Sequence, residues 1–309
     1  DAGVDGVQNC VAIGYQALSG LTASGGSVGT GPSIGIGYNA LYGATTGTNN
    51  IAIGSWTMDA VVTGTTNIAI GNNAATVLTS GSNNVILGHN AGAALTSGGT
   101  NTFVGAYAGD ATTTAGDLVA VGMHALGVNT TGANNVAVGS GSLDACTTGN
   151  HNVAVGYQAL SGLTDAQFCI GIGKDAGLAV TEGDSNVLIG YHSGDAITTG
   201  GNNTALGSYT LGAATTVSSL TAVGYSAGAA NTSGVANVYV GAYCGDATTT
   251  GGYNTFIGDA AGGANTTGAS NTFVGQGAGD ANTTASNNNA FGYGALGANT
   301  TGTGNTALG

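Results

Sequence analysis

The chain has 309 residues, 61 of them glycine, and a formal net charge of −13 with Lys174 as its only basic residue. Without a basic patch to meet phosphates or anionic headgroups, nucleic acid and membrane surfaces are poor partners. Glycine does not recur at every third position, so this is not collagen, and charged residues are 5% against about 25% in ordinary domains. Asn, Thr, Ser and exposed backbone must therefore keep the chain in solution.

Residues 1–8 are a ragged lead-in, and Cys10 to Leu18 form the first recognisable unit of a repeat. Each unit closes on a glycine. Gly14 is followed 23 residues later by Gly37, and from there a glycine closes every 17 residues as far as Gly309. The six extra residues fall within Gly20 to Pro32, rich in Gly and Ser, which reads as a loop leaving the surface. From Ser33 onward there is no shift of composition and no linker. The expectation is one elongated domain over residues 1–309, of about 18 rungs, taken from a longer fibre protein. A period of this length marks a solenoid or a repeat-built fibre.

Numbering each rung from its glycine at zero shows its grammar. Position −1 is Ile, Leu, Val or Phe throughout, and position −3 is Val, Ile or Thr except at Asn289. Position −4 is Asn in thirteen of eighteen rungs; Cys10, Ser33, Leu118, Cys169 and Leu220 replace it. Such a short β-branched phrase bounded by turn residues predicts a strand. Position +8 is Thr in every complete rung but that of Gly54, where Val62 stands, and a glycine usually follows at +10. Each rung thus reads as a strand, a tight corner, a second short extended piece and a Thr-Thr-Gly corner. Stacking predicts a ladder of Asn50, Asn67, Asn84, Asn101, Asn135, Asn152, Asn186, Asn203, Asn237, Asn254 and Asn271, with amides bonding between rungs. At about 4.8 Å per rung the rod would be roughly 80 Å long.

Positions −2 and +4 compensate one another. A large residue at −2 comes with Gly at +4, as in Phe103 with Gly109, Tyr239 with Gly245 and Phe273 with Gly279. Leu or Met at +4 comes with Ala or Gly at −2, as in Ala52 with Met58, Ala120 with Leu126 and Ala137 with Leu143. No rung has two large residues and three have two small ones, so the two columns share one buried space. Strand alternation turns this column to one side and the apolar −3 and −1 columns to the other. The second apolar side requires a cover, and further copies of the chain around a common axis supply it. The expected fold is all-β, a parallel β-solenoid (β-roll) of 17-residue rungs, assembled as an intertwined or side-by-side homotrimeric fibre. The pattern leaves open which side is the intrachain core.

Chemistry is sparse. Gly224-Tyr225-Ser226-Ala227-Gly228 matches a nucleophile elbow and Gly171 to Gly177 resembles a phosphate loop, but both are repeat grammar. Cys10, Cys146, Cys169 and Cys244 form no CxxC pair and read as small buried fillers. The four histidines show no metal-ligand spacing. Asp59, Asp110, Asp144, Asp195, Asp246 and Asp280 share position +5 and read as solvated carboxylates; weak surface calcium is the alternative, and no cofactor is expected. Positions +1 and +2 vary most, which marks a solvent-facing ribbon. Its Trp56, Tyr107, His124, Tyr209 and Tyr243 are the candidate ligand contacts, with sugars as the ligand they could stack on. No signal peptide or membrane span is visible.

The phrases Asn50–Gly54, Asn135–Gly139 and Asn152–Gly156 resemble the head repeats of trimeric autotransporter adhesins. The longer phrase Gly156-Tyr157-Gln158-Ala159-Leu160 with its Thr-Thr-Gly corners is closer to repeat shafts of phage tail-fibre proteins. The resemblance spans nearly the whole chain and implies left-handed trimeric β-rolls used for adhesion and spacing. It implies a structural fibre shaft of a virion, not an enzyme, that contacts other virion proteins and projects a receptor-binding tip lying outside this segment. The alternative is a bacterial cell-surface adhesin that binds matrix or carbohydrate. A third class, ice binding through the Thr column, meets the objection that adjacent Thr-Thr pairs point to opposite sides.

Overall fold

The computed structural model describes residues 9–20 and 32–309, so the insertion expected around 20–32 falls almost wholly outside them. Two compact units, Asp1–His151 and Asn152–Gly309, make up the chain. Among the described residues there are eighteen strands of three residues and no helix. The first unit holds β1 (Val11–Ile13) to β8 (Val136–Val138), and the second holds β9 (Val153–Val155) to β18 (Thr306–Leu308). Within each unit successive strands pair in parallel at the expected register: Val85 opposite Thr102, Ile86 opposite Phe103, Leu87 opposite Val104. Each unit is a β-solenoid of 17-residue rungs.

The middle residue of the strand points inward. Ala52, Ile86, Phe103, Ala120, Phe256 and Phe273 are all fully buried, while their neighbours at −3 and −1 are half-buried or exposed. The compensated columns are therefore the intrachain core, and the Val/Ile/Thr side is the outer face. The second extended piece of the rung does not form a strand. Positions +2 and +4 instead turn through left-handed backbone, as at Trp56 (φ 58) and Met58 (φ 46). Rung-to-rung hydrogen bonds continue around this corner, for example Gly92 N–H to Ala108 O and Ala94 N–H to Asp110 O. The left-handed turn adds a second reason for glycine at +4: Gly109 adopts φ 58 freely, whereas Leu126 at φ 53 works against its own Cβ.

The closing glycine is irreplaceable for two reasons. Gly105 sits at φ 138, a region that L side chains rarely adopt, and a Cβ there would lie 2.6 Å from the Gly122 carbonyl oxygen of the next rung. Neither conflict can be relieved without separating the rungs.

The core columns also lean along the stack. In the rung of Gly173 both shared positions are small, yet no void follows. A Cβ on Gly171 would meet Leu160 Cγ of the preceding rung at 2.6 Å. One on Gly177 would lie 2.7 Å from both Leu160 Cδ2 and Leu188 Cδ1, the latter from the following rung. In the rung of Gly224, Gly228 is closed in likewise by Leu211 from before and Tyr239 from after. A large residue at +4 thus leans toward the next rung, and a large residue at −2 leans back toward the previous one. Placed in consecutive rungs in that order, they would claim the same space. The sequence obeys this: wherever Leu or Met rungs give way to rungs with a large −2 residue, a rung with two small residues (Gly71, Gly173, Gly224) intervenes. The reverse change needs no spacer, as Phe103 before Leu126 and Phe273 before Leu296 show.

Val62 is explained by a local shift. In the rung of Gly54 the core slot that Leu78 and Leu95 fill at +7 is taken by the residue one further on, so Val62 is fully buried and Val61 is 57% exposed. A threonine at that place would put its hydroxyl into the core.

Candidate functional site

Behind the surface stands the amide ladder. Asn50, Asn67, Asn84, Asn101, Asn135, Asn152, Asn186, Asn203, Asn237, Asn254 and Asn271 are all buried. Asn67 shows the bonding: its Nδ2 donates to Gly81 O at 2.9 Å, and its backbone N–H donates to Asn50 Oδ1 at 2.9 Å. Cys169 keeps the pattern with a thiol, its Sγ donating to Gly183 O at 3.1 Å while its N–H reaches Asn152 Oδ1. The two Leu rungs do so by another route. Leu220 cannot donate to Gly234 O; Asn231 at +7 does so at 3.0 Å, accepts from Gly234 N–H and donates to the buried Tyr239 hydroxyl. Asn129 reaches Gly132 O in the rung of Leu118. This second Asn column was not read from the sequence. Its signal is the coincidence of Leu at −4 with Asn at +7 in both rungs.

The threonines at +8 form a third ladder. Thr79, Thr96 and Thr113 each donate their hydroxyl to the carbonyl of the next Thr in the column, at 3.0 to 3.1 Å. Cys244 is buried with Sγ donating to Phe256 O, and burial pushes its thiol pKa up to about 12.

The +1/+2 ribbon is exposed, and stacking groups its aromatic residues into clusters. Trp56 ends a run with Tyr38 (5.1 Å) and Tyr15. Tyr107 lies between His89 and His124, parallel to the latter at 5.0 Å. Tyr209 and Tyr243 belong to a run with Tyr191, His192 and Tyr225, capped by the Lys174 ammonium 5.4 Å from the Tyr191 ring. Tyr38, Tyr191 and Tyr225, which are not among the candidate contacts, join these runs by meeting rings of neighbouring rungs edge to face.

Between the +2 and +5 columns runs a groove. It widens into a shallow, open cleft of about 500 Å³ lined by Trp56, Asn73, Asn90 and Asp110, with Thr76 and Val77 along its side. A second cleft of about 370 Å³ uses the same columns in the other unit, between Gln276, Asp280 and Tyr293. In the rung of Gly190 the groove is bridged, His192 Nδ1 meeting Asp195 at 2.7 Å. Among the described residues no three His, Cys, Asp or Glu side chains converge as metal ligands, and no helix is long and apolar enough to cross a membrane.

Partial burial raises the carboxyl pKa of Asp59, Asp110 and Asp246 above 3.8, and the neighbouring carboxylates Asp144 and Asp280 add to the rise at Asp110 and Asp246. A group whose folded pKa is raised stabilises fully below its unfolded value and loses that contribution as pH climbs through the folded one. Acidification from neutral pH toward 3.8 is therefore expected to raise the melting temperature, and relief of a −13 net charge acts in the same direction. A melting temperature that falls over this window, followed by circular dichroism at constant ionic strength, would overturn the assignment.

The chain matches no protein-family model and no curated protein sequence. What defines it is the fold, a parallel β-solenoid repeat, an architecture typical of structural proteins.

Proposed function

We propose that the chain is a structural shaft, a non-enzymatic fibre segment of a virion that associates with copies of itself, three around a common axis. The observation that supports this is the outer strand face. Ile70 and Ile257 at −1 are each 39% exposed, Ile68 at −3 is 36% exposed, and equivalent aliphatic or Thr residues repeat in nearly every rung. Two apolar files that recur once per rung fit best against a surface with the same period, and another copy has that period. Burying them removes apolar area from water at about 25 cal/mol per Å². The ladders of Asn and Thr, bonded rung to rung, give the stiffness the role requires. Resistance to proteolysis follows as well, since Lys174 is the sole trypsin site and is held by Asp175.

Native mass spectrometry tests the association. A mass of three chains is expected at micromolar concentration, and a folded monomer there refutes the self-association. A paired substitution, Ile70→Lys with Leu87→Lys, is expected to dissociate the assembly without disturbing the inward-facing core. The genes on either side separate a virion fibre from a cell-surface adhesin, whose membrane anchor would be encoded with it.

A further inference from the structure

The cleft at Trp56 combines an aromatic platform, two carboxamides and a carboxylate. Trp56 is 41% exposed, and its ring meets that of Tyr38 edge to face at 5.1 Å. The two rungs that follow carry Asn73 and Asn90 in the same column, so the aromatic run stops and two carboxamides line the floor. Across from them is Asp110, whose Oδ1 is buried and has no hydrogen-bond partner. A turn of the carboxylate about its Cβ–Cγ bond brings that unpartnered oxygen to the cleft, where a ligand hydroxyl relieves its desolvation cost.

We propose that this cleft binds a neutral saccharide, one or two sugar rings long. The apolar C–H face of a pyranose lies on the Trp56 ring, as rigid aromatic platforms favour. Its hydroxyls exchange bonds with the Asn73 and Asn90 carboxamides, which supply both donors and acceptors, and those of a second ring donate to the Asp110 carboxylate. The volume suits a small ligand held by one apolar wall and a few convergent polar groups. A purely apolar ligand would leave Asn73, Asn90 and Asp110 unpaired on burial. Charge selects among sugars: the cleft holds a carboxylate and no cation, so sialylated, sulfated and phosphorylated glycans are repelled. The cleft residues occupy +2 and +5, off the strand face, so binding does not depend on self-association and is read whatever the native mass.

Trp56 is the only tryptophan, so its fluorescence reports from the cleft alone. The full chain is titrated with neutral tetrasaccharides of glucose, galactose, mannose and N-acetylglucosamine, with sialyllactose and a sulfated tetrasaccharide as anionic probes. A saturable emission change with at least one neutral sugar and none with the anionic probes is expected. Asp110→Ala is expected to weaken that sugar roughly tenfold or more, whereas Asp110→Asn, which keeps an acceptor oxygen, retains most of the affinity. Trp56→Ala, read by calorimetry, abolishes binding with the melting temperature unchanged. No response to any neutral sugar, an equal response to the anionic probes, or unchanged affinity in both Asp110→Ala and Asn90→Ala overturns the proposal.

Discussion

Ala120→Phe combined with Leu126→Gly is expected to leave the chain nearly as stable as the parent, whereas the same pair at Ala137 and Leu143 is not. Each single change is costly. Phe at Ala120 overfills a position that is fully buried, at about 1–3 kcal/mol or more, and Gly at Leu126 opens a cavity worth about 2–5 kcal/mol. Together they convert the rung into the kind that Phe103 and Gly109 already form one rung earlier, where a Cβ on Gly109 would touch the Phe103 ring at 2.7 Å. The parent order permits this, since the rung before carries its bulk at −2. At Ala137 the rung before carries Leu126, which leans forward as Leu160 leans onto Gly171. A phenyl ring introduced at Ala137 would meet it, and removal of Leu143 offers no relief. Adding Leu126→Gly to that pair is expected to restore most of the loss. Denaturant midpoints measure all three, since a repeat array need not unfold in one step. Equal recovery at the two sites would show that the lean is irrelevant, and simple additivity at 120 and 126 would show that the columns do not share space.

Asn231→Ala is expected to destabilise strongly, by about 3 kcal/mol or more, and Asn265→Ala only mildly, by about 1 kcal/mol, although both asparagines occupy the same buried column. Asn231 donates to Gly234 O and to the Tyr239 hydroxyl and accepts from Gly234 N–H, in a rung where Leu220 offers no amide. Its loss takes these partners from the buried Gly234 carbonyl and N–H, each costing about 1–3 kcal/mol. In the rung of Asn265, Asn254 also donates to Gly268 O at 2.9 Å, so that carbonyl stays satisfied, and Asn282 Nδ2, which donates to Asn265 Oδ1, keeps its bond to Ala285 O. Leu220→Asn placed on top of Asn231→Ala should recover part of the loss by restoring the common arrangement. Thermal melts of the three variants decide it; equal losses for Asn231→Ala and Asn265→Ala would contradict the shared-carbonyl account.

Among the outward residues the sequence singled out, geometry altered the weighting. Trp56, Tyr107, His124, Tyr209 and Tyr243 were chosen as single exposed rings. Ring contacts make them members of runs, and Trp56 also faces a cleft. Asp110 was read with five other aspartates as a solvated column. Its buried Oδ1 separates it from them, a difference that position +5 alone does not carry.

The amino-acid sequence by itself determined the rung. A fixed 17-residue period, a β-branched phrase ending on glycine and an Asn at −4 specify a stacked strand, because a repeated local preference adds up over every copy. It also determined that −2 and +4 share a volume, since compensation in side-chain size is visible in the residues themselves. Only the tertiary structure decided which side of the strand is inside: both sides are apolar, and a period-two pattern of hydrophobicity cannot tell a core from a face awaiting a partner. The same holds for the lean of Leu160 toward Gly171, the burial of Val62 in place of Val61, and the service of Asn231 to Gly234. Each depends on where a side chain goes after it leaves the backbone, into a neighbouring rung that is 17 residues away in sequence and in contact in space.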